Sequence, residues 1–193
     1  MYINQLLQQC RELRELSLVG VAWNTTEGMR GVELDLGPAA QSLESLTLDM
    51  NGYLEIATVF TLDGNYPYYA VKQSCPRLKS LYYFNNHIST LGQPRDRNMS
   101  ELFPKLETLE LWCKNLFDVS ELRNCRELET VRMFDCIPED ISSMENLDGL
   151  RYLLISGNVN LYDVALLVLQ TGFRHLKTLD ISGALVKHLQ LDM

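Results

Sequence analysis

One apolar template, L-x-x-L-x-L, recurs seven times and constrains the fold more than any other feature of the chain. It is met at Leu13/Leu16/Leu18, Leu43/Leu46/Leu48, Leu78/Leu81/Tyr83 and Leu106/Leu109/Leu111. It continues at Leu128/Val131/Met133, Leu150/Leu153/Ile155 and Leu176/Leu179/Ile181. The last two members of each set enclose one residue, which is the period-2 signature of a short strand buried on one face. Successive first positions lie 30, 35, 28, 22, 22 and 26 residues apart. Those spacings suit a stacked solenoid in which each unit turns once and returns to begin a new parallel strand.

The residue three before each first leucine strengthens the pattern. It is Cys10, Ala40, Cys75, Phe103, Cys125, Leu147 and Phe173, apolar every time. Cys10, Cys75 and Cys125 thereby gain a packing role as small hydrophobes. Cys136 falls three after Met133, where Asn51, Asn86 and Asn158 stand in other units, and is expected to hydrogen-bond backbone as the chain turns. Cys113 is left on the expected exposed side and should be the most reactive thiol. Five cysteines are an odd count and form no CxxC pair, which argues against zinc and for reduced thiols in the cytoplasm or nucleus. The sequons at Asn24 and Asn98 point instead to a secreted protein.

These residues resemble the leucine-rich repeat superfamily over nearly the whole chain. "CRELETVRMFDC", Cys125 to Cys136, fits C-x-x-L-x-x-L-x-L-x-x-C, the strand signature of the cysteine-containing repeat subtype. "NVNLYDVALLVLQTGFRHLKTLDISG" looks like that subtype's helix-and-return segment, with Leu161 to Phe173 as the helix. The resemblance implies an α/β fold: a leucine-rich-repeat solenoid with a parallel concave sheet of about seven strands, and helices or turns on the convex side. It also implies substrate recognition of the kind F-box receptors and cullin-ligase adaptors perform, with ubiquitin-ligase subunits among the partners.

The expected organisation is a single domain over residues 1–193. Solenoids need polar caps, and neither end offers a clear one. The first ten residues allow a short helix with Leu6 and Leu7 inward, and "VKHLQLDM" ends as another unit begins with Leu189 and Leu191. The chain is therefore expected to be a segment of, or a variant on, a longer repeat protein. Asp163 to Leu169 reads as the clearest helix, and a second is expected to run toward Cys75. Only short turns fit at Val119 to Asn124 and Ile141 to Asn146. Gly92 to Asn98 reads as an exposed loop, and Val32 to Leu36 alternates as an extra short strand would.

The chemistry expected of the chain is binding. His87, His175 and His188 fall in different repeats without metal-ligand spacing, and no phosphate-binding, dinucleotide or nucleophile-elbow motif is present. No catalytic residue, metal or cofactor is assigned. A formal charge of −8 with no Lys/Arg run argues against nucleic acid or an anionic membrane. No apolar run approaches the ~18 residues of a membrane span.

In a sheet of parallel strands, equivalent positions line up about 4.8 Å apart. The residue between the last two apolar positions is Ser17, Thr47, Tyr82, Glu110, Arg132, Leu154 and Asp180. The residue after the strand is Val19, Asp49, Phe84, Trp112, Phe134, Ser156 and Ser182. Tyr82, Phe84, Glu110, Trp112, Arg132 and Phe134 thus gather on the concave side in the third to fifth repeats. Aromatics with an arginine are the composition of a binding hot spot, here for a protein or peptide. Two other roles fit the same sequence: a structural or regulatory scaffold, and a fragment of an innate-immune or extracellular receptor.

Overall fold

The computed structural model describes residues 2–19, 35–49, 74–84, 99–113, 119–136, 141–157 and 174–182. Each template forms one strand: β1 (Glu15–Val19), β2 (Ser45–Asp49), β3 (Ser80–Phe84), β4 (Thr108–Trp112), β5 (Thr130–Phe134), β6 (Tyr152–Ser156) and β7 (Thr178–Asp180). They make one seven-stranded sheet in sequence order, with every neighbouring pair parallel. The expected columns are in register, Leu16 beside Leu46, then Leu81, Leu109, Val131, Leu153 and Leu179.

Two features hold that register. Alternation gives each strand one apolar face, so a slip by one residue would expose it. At each entry one carbonyl also accepts two successive N–H groups of the next unit. Arg14 O receives Glu44 and Ser45 at 2.7 and 3.0 Å, and the carbonyls of Glu44, Lys79, Glu107, Glu129 and Arg151 repeat the arrangement. The side chains of this column are charged and pair along it: Arg14 with Glu44 at 3.9 Å, Lys79 with Glu107 at 2.8 Å, and Arg151 with Glu129 at 3.5 Å. All six are substantially exposed, so solvent screens these pairs and they contribute little to stability.

The core lies on one face of the sheet. Leu46, Leu81, Leu109, Val131 and Leu153 are buried, as are Leu48, Tyr83, Leu111, Met133 and Ile155. Over them lie α1 (Tyr2–Leu7), α2 (Met99–Leu102) and three 3-10 turns, Gly37–Gln41, Ser120–Asn124 and Ser142–Asn146. Ser120–Asn124 and Ser142–Asn146 fall where 22-residue units leave no room for longer helices, and the three turns bury Ala39, Ala40, Leu122 and Met144. The layer is stitched sideways: Ser143 Oγ donates to Val119 O at 3.0 Å, and Cys75 N–H donates to Leu102 O at 2.7 Å. Asn4 Oδ1 accepts from Asp35 N–H at 3.3 Å, fastening α1. No helix among the described residues is long and apolar enough to cross a membrane.

Several expectations are corrected. Leu6 is 64% exposed while Leu7 alone turns inward, because adjacent residues on a helix point about 100° apart. Leu16 is half-buried and Leu179 is 39% exposed; among the described residues β1 and β7 each have a strand on one side only. Cys10 is half-buried beside α1, donating to Leu6 O at 3.5 Å. Asp35 and Leu36 lead into a 3-10 turn and are not strand. Residues 32–34, the helices expected at Asp163 to Leu169 and before Ser74, Gly92 to Asn98, the sequon asparagines Asn24 and Asn98, His87, His188, Leu189 and Leu191 lie outside the described residues.

Candidate binding face

The alternation that buries Leu109 and Leu111 turns Glu110 and Trp112 to the opposite face, and β3 and β5 repeat this. Register sets Tyr82, Glu110 and Arg132 side by side, and Phe84, Trp112 and Phe134 side by side. All six predicted residues are therefore brought together. The rings stack on one another: Phe84 and Trp112 have centroids 5.8 Å apart and planes inclined by 29°. Trp112 and Phe134 are 4.1 Å apart at 22°. Near-parallel stacking on both sides uses up the two faces of the indole. Trp112 remains 39% exposed between the two phenylalanines.

Glu110 organises the polar half. Its Oε1 accepts from Trp112 Nε1–H at 3.0 Å, and its Oε2 meets the Arg132 guanidinium at 3.3 Å. The Glu110 side chain is only 14% exposed and that of Arg132 is 48% exposed. The carboxylate thus fixes the indole rotation and holds the guanidinium beside the rings, where a ring face would otherwise compete for it. The result is a preorganised patch whose rings and one guanidinium are already oriented, which lowers the ordering cost of binding.

The sequence reading omitted a third outward column, the first residue of each strand: Glu15, Ser45, Ser80, Thr108, Thr130, Tyr152 and Thr178. The same period-2 count identifies it, since these residues precede the second apolar position. Tyr152 is exposed and Leu154, beside Arg132, is half-buried, so the apolar area reaches β6.

The expectation for Cys113 is overturned. It is fully buried, because the alternation continues one residue past β4: its N–H still donates to Phe134 O at 3.3 Å, and its side chain joins Leu109 and Leu111. Cys136 lies beside it. Its thiol reaches Phe134 O at 3.4 Å and Leu111 O at 3.8 Å, as expected of a residue turning the chain out of the strand. A hydrogen bond from Cys113, opposed by burial, holds the Cys136 thiol below its ordinary pKa. Burial pushes the Cys75 thiol up to about 12. None of the five cysteines forms a disulfide, and no group of three or more His, Cys, Asp or Glu among the described residues could hold a metal ion.

Comparisons with protein-family models, curated proteins and solved structures give no match.

Proposed function

We propose that the chain is a protein-binding module, a leucine-rich-repeat solenoid that holds a protein or peptide on its concave face. The single observation that carries this reading is the Phe84–Trp112–Phe134 stack on the open face, ordered by Glu110 and flanked by Tyr82 and Arg132. Seven in-register parallel strands in sequence order support the solenoid. Large apolar rings with a guanidinium, kept out of a core that is full without them, have the character of interface anchors.

The setting follows the resemblance: substrate recognition within a ubiquitin ligase of the F-box or cullin-adaptor kind, in the cytoplasm or nucleus. Reduced thiols at all five cysteines agree with a reducing compartment. The role assigned is non-catalytic, without cofactor, nucleic acid or membrane. The test is affinity capture from cell extract with the full chain and with Trp112→Ala. A partner held by the first and lost by the second, with the variant still unfolding cooperatively from a folded state, is the expected result. Capture unaffected by the substitution would move the interface off this face and favour a scaffold using its ends or other surface.

A further inference from the structure

The exits of β4 and β5 bring two thiols together beneath the ring column. Cys113 continues the alternation of β4 and points into the core, where it is fully buried. On β5 the same count would turn Cys136 outward with Arg132 and Phe134. Asp135 prevents this. Its left-handed conformation, φ 56°, leaves Asp135 exposed beside the half-buried Phe134 and rotates Cys136 into the core. Both cysteines then converge on one acceptor, with Cys113 N–H donating to Phe134 O at 3.3 Å and the Cys136 thiol at 3.4 Å. The Cys113 side chain also hydrogen-bonds the Cys136 sulfur, so the two thiols are in direct contact.

We propose that Cys113 and Cys136 are a modification site for hydroperoxides, closing reversibly to a disulfide that ties the exit of β4 to that of β5. The chemistry does not depend on what the open face binds. Cys136 is the attacking sulfur, because the hydrogen bond from Cys113 favours its thiolate against burial. The thiolate attacks one peroxide oxygen and the O–O bond breaks. The departing oxygen takes the proton that Cys136 released and leaves as an alcohol, or as water from hydrogen peroxide. Cys136 is then a sulfenic acid. The Cys113 sulfur attacks it, the S–O bond breaks, and water leaves with the Cys113 proton. Two thiols are oxidised to one disulfide and one hydroperoxide is reduced. The attack needs only a local opening, since Asp135, next to Cys136, is exposed and Trp112, next to Cys113, is 39% exposed. Cys75 is the internal contrast: burial pushes its thiol up to about 12, which leaves almost no thiolate to react.

The test exposes the full chain to hydrogen peroxide under native conditions, blocks the remaining thiols in denaturant and maps the peptides. The intact mass should fall by two hydrogens and recover with dithiothreitol, and the map should join Cys113 to Cys136. Cys75 should oxidise at least about tenfold more slowly than this pair. Cys113→Ser keeps a hydrogen-bond donor but no resolving sulfur, so a cyclic 1,3-dione should trap sulfenic acid at Cys136. In Cys136→Ser the same dione should leave Cys113 unmarked. If either substitution impairs folding, the map of the parent chain decides the pairing alone. Both thiols surviving peroxide that oxidises the half-buried Cys10, or a disulfide joining any other cysteines, overturns the proposal.

Discussion

A Cβ added to Gly157 would stand 3.1 Å from the Asp135 α-carbon, because the exits of β5 and β6 press together there. Gly157 has φ +125°, and Asp135 is the one described non-glycine residue with positive φ, at 56°. The two occupy equivalent positions, and Asp135 N–H donates to Ser156 O at 2.8 Å across the same junction. Gly157→Ala adds both backbone strain and a close contact with main chain that cannot swing aside. It should destabilise by about 1–3 kcal/mol in denaturant unfolding. Asp135→Gly should fall within about 1 kcal/mol of the parent, since the aspartate already tolerates its left-handed conformation. Equal effects would contradict the reading.

Thiol labelling should begin at Cys10. It is half-buried, whereas Cys75, Cys113, Cys125 and Cys136 are buried. Under native conditions a maleimide followed by peptide mapping should mark Cys10 first and Cys113 no faster than Cys75. Early labelling of Cys113 would mean that the end of β4 opens.

Alkaline pH should weaken the fold through Cys75. Its folded pKa is raised from 9.0 to about 12, so the protonated thiol stabilises the folded state fully below pH 9. That contribution is lost as pH rises from there toward the folded value, at up to about 1.4 kcal/mol per unit. Lys79, whose ammonium is favoured by its hydrogen bond to Glu107, acts in the same direction at higher pH. Unfolding measured between pH 8 and 11 should show a decline that Cys75→Ala makes shallower; an identical slope in the variant would refute the assignment.

Trp112 and Leu109 lie three residues apart, on opposite faces of β4, and should separate binding from stability. Leu109→Ala opens a cavity in a packed core and should cost about 2–5 kcal/mol. Trp112→Ala removes two ring contacts at an open face, each worth about 0.5–1.5 kcal/mol. Its unfolding midpoint should therefore fall well short of the shift in Leu109→Ala. A larger loss at Trp112 would make the indole a core residue.

The sheet was legible in the sequence because period 2 and a recurring template are local signals, and seven copies reinforce one another. The ring column followed from counting alone. Cys113 escapes a pattern reading because the template ends at Leu111 and the outward column at Trp112, although the ladder runs on through the Cys113 N–H. Leu6 and Leu179 could not be read correctly from pattern, since their exposure depends on what covers the sheet's first and last elements. The grip of Glu110 on both Trp112 and Arg132 was also hidden. It depends on side-chain rotamers across two strands, which a column of letters does not specify.

Among the described residues each strand touches only the strands beside it. The sheet is thus a row of slats joined edge to edge, with none of the described elements running from β1 to β7. Small changes of angle at each joint add along the row, so its curvature is a soft coordinate. The stacked rings brace the joints between β3, β4 and β5 and leave the flanks to give. The centre of the row is thereby its most firmly joined part.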